Sequence, residues 1–228
     1  LEQVLGPEAA DVWASTFHSA CVRILRRYVQ VLGLFGRDFT IYDTADSQSL
    51  IKRILKDMDL DEKKFTPRSM LSAISAAKNA AILPEKYLEE AGPDLWKKTV
   101  GQVYMEYRKR MLQADAMDFD DLLLYTVLLL ENSSEAREYY QRRFRYVLVD
   151  EYQDTNILQY RLVHLLAGER QNLCVVGDDD QGIYKFRGAT IQNILDFEKD
   201  YPGARVIKLE QNYRSTGTLL AAPPAAVS

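Results

Sequence analysis

Several things are scarce in this 228-residue chain, and each scarcity removes a class of explanation. Only two cysteines occur, Cys21 and Cys174, far apart and each inside an apolar pattern. A disulfide framework is thereby excluded, and buried reduced thiols are expected at both places, as in a cytosolic protein. No apolar run is long enough to span a bilayer, and no signal-peptide pattern is read, so a cytoplasmic location is expected. Basic residues are not in excess. The 29 Lys and Arg face 33 Asp and Glu, a net charge of −4 that by itself argues weakly against a polyanion partner. None of the 11 glycines is followed by lysine, so the phosphate-cradling loop G-x-x-x-x-G-K-[ST] is missing. Internal repeats are absent, and the one biased stretch is the tail from Ala221 to Ala226, where Pro223-Pro224 cannot continue a helix.

What is present concentrates in Tyr146-Val147-Leu148-Val149-Asp150-Glu151-Tyr152-Gln153-Asp154. The apolar run reads as a strand buried on both faces, of the kind found in parallel sheets flanked by helices. Open α/β sheets bind ligands just beyond the carboxyl ends of their strands, which is where Asp150 and Glu151 fall. One carboxylate of such a pair can hold Mg²⁺ while its neighbour polarises an attacking water. Leu173–Gly177 is a second apolar run and ends in Asp178-Asp179-Asp180-Gln181. Arg205–Leu209 is a third and leads into Glu210-Gln211-Asn212-Tyr213-Arg214, and an earlier one, Asp11–Ser15, leads into Thr16-Phe17-His18-Ser19. Helical patterns lie between the later runs, one through Ile157, Tyr160, Leu162, Val163, Leu165 and Leu166, another through Ile191, Ile194, Leu195 and Phe197. Alternating strand and helix predicts a parallel α/β sheet built from βαβ units.

From about Thr40 to Ala114 the alternation stops. Leu50, Ile51, Ile54, Leu55 and Met58 recur at helical spacing, Thr66-Pro67 reads as N-cap then first helical residue, Pro84 opens a short helix, and Leu95 to Met111 is a long amphipathic one. Asp118 reads as the cap of a helix from Phe119 to Leu130. An all-helical block inside an α/β chain is an insertion. With 47% hydrophobic residues the chain can bury a core in each of two units.

Five blocks, in order, resemble the superfamily-one DNA helicases of the UvrD/PcrA/Rep group. They are Ser15–Ser19, Met117–Leu123, Val149–Asn156, Val176–Ala189 and Leu209–Thr216, with the PcrA type nearest because of Asp150-Glu151-Tyr152-Gln153-Asp154. The resemblance covers about residues 11 to 216. It implies a RecA-like parallel-sheet motor domain of the P-loop NTPase class, formed by 1–39 and 115–228, with 40–114 as an inserted helical accessory subdomain that faces duplex DNA in relatives. It implies ATP and Mg²⁺ as cofactors. Asp150 would hold the metal, and Glu151 would be the general base toward the attacking water. Gln181 would touch the terminal phosphate region, Tyr213 would offer its ring to adenine, and Arg214 would supply a planar cation matched to phosphate. The DNA side would use Thr16, His18, Tyr184, Phe186 and Arg187, with bases stacked on aromatic faces. For His18 the residues alone favour a core or capping role.

The departures matter too. Relatives carry the phosphate loop ahead of the Val12 strand, so the chain looks cut at its N-terminus, and the second motor domain is not in it. Gly182 stands where relatives usually have serine, and Phe186 where they often have tryptophan. The expectation is therefore a piece of an ATP-dependent 3′–5′ helicase of repair or replication, cytoplasmic and nucleoid-associated in a bacterium and acting on single-stranded and junction DNA. This piece is expected to be inactive without the remainder of the helicase chain. Two other readings remain open: a truncated DNA- or protein-binding module without turnover, and a metal-dependent nuclease on Asp178, Asp179 and Asp180. The nuclease is the weaker, because adjacent aspartates cannot all reach one metal without ligands from elsewhere.

Overall fold

The computed structural model describes Gln3, residues 6–178, Asn193 and residues 197–209. The chain divides into two compact units, Leu1–Asp196 and Phe197–Ser228. In the first unit a 3-10 turn, Gly6–Asp11, precedes helix α1, Phe17–Tyr28. Strand β1, Thr40–Ile41, leads into four helices: α2, Thr44–Asp57; α3, Pro67–Asn79; α4, Pro84–Glu90; and α5, Leu95–Gln113. Strand β2, Ala116–Met117, then opens a second run of α6, Phe119–Asn132, α7, Ser134–Arg143, strand β3, Val147–Val149, helix α8, Ile157–Ala167, and strand β4, Leu173–Val175. In the second unit the described residues form one short helix, α9, Phe197–Asp200.

The helices begin where short polar side chains can satisfy the first free amides. Asp43 with Asp46, Asp118 with Asp121 and Asn156 with Gln159 close reciprocal capping boxes at α2, α6 and α8. Thr66 accepts from the Ser69 N–H at 3.2 Å with Pro67 as first helical residue, as the sequence predicts.

Two hydrophobic cores form. One gathers Cys21, Ile24 and Leu25 of α1 with Leu122 to Leu130 of α6 and Leu158 and Leu162 of α8. The other lies among α2, α3 and α5, around Ile51, Ile54, Met70, Ile74, Val103 and Tyr107. Where they meet, β1 and β2 pair in parallel, Thr40 opposite Ala116 and Ile41 opposite Met117, a pairing absent from the sequence reading.

β3 and β4 also pair in parallel, Val147 opposite Leu173 through Val149 opposite Val175, as the alternation implies. Four expectations need correction. Asp11–Ser15 forms no strand: the Val12 N–H donates to Ala9 O and the Ala14 N–H to Val12 O, both at 3.2 Å, so the amides close locally instead of on a ladder. Arg205–Leu209 forms none either, and Val206, Ile207 and Leu209 are exposed. β3 is not buried on both faces. Val149 is buried on the side that α8 covers, while Leu148 is 75% exposed. Its register partner Cys174 shares that open face, so this thiol is exposed and only Cys21 is buried. The described residues thus give a helix-rich fold with two small parallel sheets.

Candidate functional site

β3 ends by handing the chain to Asp150 and Glu151. The edge is pinned to the strand beside it, since the Val176 N–H donates to Val149 O at 2.8 Å and the Tyr152 N–H to Val176 O at 2.9 Å. Between these two bonds the chain must turn within one residue, and Glu151 makes the turn with φ 51° and ψ 43°. A non-glycine residue in this left-handed region carries strain of roughly 1–2 kcal/mol, and such residues gather at functional sites. A 3-10 turn, Tyr152–Asp154, follows and is closed by Asp154 N–H to Glu151 O at 2.9 Å and by Thr155 Oγ1 to Tyr152 O at 2.7 Å.

Both carboxylates are exposed. Asp150 Oδ1 accepts from the Glu151 N–H at 3.0 Å. Glu151 Oε2 accepts from Gln153 Nε2 at 2.7 Å. Among the described residues no lysine or arginine pairs with either. Asp154 stands next to them with Oδ1 buried and unpartnered, and burial followed by the charge of Glu151 pushes its carboxyl above the ordinary range. Asp150 thus has one oxygen committed and one open, which suits a hard cation that takes one or two carboxylates and fills its remaining positions with phosphate and water.

The turn is tied into the helices behind it. Asn156 caps α8 and donates to Asn79 Oδ1 of α3 at 2.6 Å, and Asn79 donates to Asp120 of α6 at 2.9 Å. Asn193 Nδ2 reaches Thr155 O at 3.0 Å. Beside this chain lies a buried ionic cluster that the sequence reading missed. Lys78 Nζ is 2.6 Å from Asp118 Oδ2 and 2.7 Å from Asp121 Oδ1, and Tyr107 donates to Asp118 Oδ2 at 2.9 Å. Burial opposes the charge on Lys78, but the two carboxylates outweigh it and hold the amine well above its usual range. Burial also acts on Asp118, yet Lys78 keeps that carboxyl low. Asp121, buried and next to the Asp118 charge, is pushed up to about 7. The one available signal was a lysine directly after Ala76 and Ala77 near the end of α3.

Thr16 is exposed and caps α1, accepting from the Ser19 N–H at 3.3 Å. His18 is half-buried, edge-on to Phe119 with ring centres 5.8 Å apart, and burial lowers its pKa against a smaller opposing pull from Asp120. Arginines of α1 and of the end of α7 come together: Arg23 and Arg143 stand over the Trp13 ring at 5.0 and 5.3 Å, and Arg142, Arg143 and Arg145 line an open cleft of about 430 Å³ with Tyr139 and Asp11. Gln181, Tyr184, Phe186, Arg187, Tyr213 and Arg214 lie outside the described residues, as do Asp179 and Asp180.

The family model for the UvrD/REP helicase N-terminal domain matches residues 1–202, so the chain belongs to that family, as the five sequence blocks imply. Its relatives include the ATP-dependent DNA helicase PcrA of Bacillus subtilis (strain 168), 55% identical over 222 residues, which are 97% of this chain and 30% of that protein. The PcrA proteins of Staphylococcus epidermidis (strain ATCC 12228 / FDA PCI 1200) and Staphylococcus aureus (strain NCTC 8325 / PS 47) are each 52% identical over 220 residues, or 96% of this chain and 30% of theirs. The chain therefore spans about 30% of the length of the curated relatives it matches.

Proposed function

We propose that this chain is the first-motor-domain portion of an ATP-dependent DNA helicase, with 1–39 and 115–228 as a RecA-like domain and 40–114 as a helical insert. The separation of the two hydrophobic cores supports that division. The observation that carries the functional reading is the exposed carboxylate pair at the end of β3, without a cationic partner among the described residues and held on a strained backbone.

Asp150 would hold Mg²⁺ through the oxygen that the Glu151 N–H leaves open. Bound there, the cation supplies neutralisation of phosphate charge. Glu151 accepts the proton of the water that attacks the terminal phosphate of ATP, which is general-base work suited to an exposed carboxylate. Gln181 and Arg214 would contact the phosphates, Tyr213 the adenine, and Thr16, His18, Tyr184, Phe186 and Arg187 single-stranded DNA, with 3′–5′ translocation. With no Gly-Lys pair in the sequence to open a phosphate loop, the isolated chain hydrolyses no ATP.

The test uses a full-length helicase that contains this chain. Glu151→Gln should keep ATP bound while DNA-stimulated turnover falls on the order of 10²–10⁴-fold. Asp150→Asn should weaken Mg²⁺-dependent nucleotide binding as well. Undiminished turnover in Glu151→Gln would overturn the general-base role, whereas DNA binding with no ATP hydrolysis by the parent would favour a binding module instead.

A further inference from the structure

Gln153 is only 2% exposed, although it follows two exposed carboxylates by a few residues. Both ends of its amide are used. Nε2 donates to Glu151 Oε2 at 2.7 Å, and Oε1 accepts from the Asp178 N–H at 3.1 Å. The amide has one orientation that satisfies both neighbours, because a flipped amide would set oxygen against a carboxylate and NH₂ against an N–H. The partners lie on different strands' ends: Glu151 follows β3, and Asp178 stands in the loop after β4.

From this geometry we infer that Gln153 is a positioning residue for hydrolysis, fixing the Glu151 carboxylate and tying it to the loop after β4; the inference rests on the reading of Glu151 as the proton acceptor. An exposed glutamate side chain ordinarily samples several rotamers. The bond to Oε2 selects one and leaves Oε1, which has no partner among the described residues, as the oxygen that takes the proton. Holding a catalytic group in one orientation raises its effectiveness without changing substrate affinity. Because the other half of the amide is held by Asp178, a shift of the loop after β4 moves Gln153 and re-aims Glu151.

Two variants in a full-length helicase containing this chain separate the halves of the bridge. Gln153→Met removes both bonds. Gln153→Glu keeps an acceptor for the Asp178 N–H and sets a second carboxylate against Glu151. Steady-state ATP hydrolysis with saturating single-stranded DNA should show kcat lowered about tenfold or more in both, with KM for ATP within about threefold of the parent. Thermal melting should place Gln153→Glu nearer the parent than Gln153→Met, so the loss of kcat should not follow the loss of stability. If kcat stays within about twofold in either variant, or falls in proportion to Tm, the positioning role is overturned. Glu151→Gln is assayed alongside: retained turnover there would overturn the reading of Glu151 itself, a result distinct from failure of the Gln153 variants.

Discussion

Two acidic pairs in this molecule each follow a short parallel strand, and they have opposite fates. Asp118 and Asp121, after β2, are buried, share Lys78 and close the capping box of α6. Asp150 and Glu151, after β3, are exposed, face no described cation and sit on a left-handed residue. Where partners are already committed, as at Asp118, a carboxylate serves the fold. Where an oxygen is left over and the backbone is strained to present it, as at Asp150, chemistry has room to act. Adjacent acidic residues at a strand end are therefore weak evidence until their partners are known.

The comparison breaks most decisively at turnover. Glu151→Gln in the full-length protein is expected to lose hydrolysis on the order of 10²–10⁴-fold while its melting temperature scarcely moves, because the residue is exposed. Calorimetry and a steady-state assay on one preparation check both halves. Lys78→Met should do the reverse to the other pair. Removing the lone cation between two buried carboxylates should cost about 3–5 kcal/mol in urea unfolding, since the charges left behind are uncompensated.

A smaller effect is expected from protons. Asp121 is raised to about 7, so it binds its proton more tightly folded than unfolded. Its contribution to stability is complete below its unfolded value near 4 and is lost as pH rises toward 7. Asp118 is lowered and works the other way, with stability present above its unfolded value and lost as pH falls. Unfolding measured from pH 4 to 7 should show the Asp121 slope, and Asp121→Asn should flatten it.

Smallest of all is the separation at Thr16. Thr16→Ala should cost about 1 kcal/mol of stability through the lost cap. Thr16→Asp keeps a capping oxygen but sets a negative charge where DNA phosphates are proposed to lie. Fluorescence anisotropy should show weakened single-strand binding for Thr16→Asp at low salt with stability preserved; equal binding would leave Thr16 with a capping role alone.

Much of the helical structure was legible because its signals are local. Thr66-Pro67, Pro84 and Asp118 each stand at the helix start that the sequence predicts. Strands were less legible, since an apolar run becomes a strand only if another strand lies beside it. Val147–Val149 found Leu173–Val175, whereas Val12 closed on Ala9 and Val206 to Leu209 stayed exposed. At the candidate site Asp150 and Glu151 stood out because they are adjacent. Gln153 did not, because its meaning depends on an amide 25 residues away, and Lys78 did not, because its partner lies 40 residues on. Neither the turn at Glu151 nor the open face at Leu148 and Cys174 leaves a mark on the sequence pattern.

The pairing of Thr40 with Ala116 has a consequence for how such a chain can change over time. Residues 42–115 leave and return through neighbouring strands, which lie about 4.8 Å apart in any sheet. The four helices are, in topological terms, one crossover connection between two parallel strands. The entropy of closing such a connection grows only slowly with its length. The excursion can therefore lengthen, shorten or acquire new surfaces while the register of β1 on β2 stays fixed, provided that a cation still arrives to meet Asp118 and Asp121.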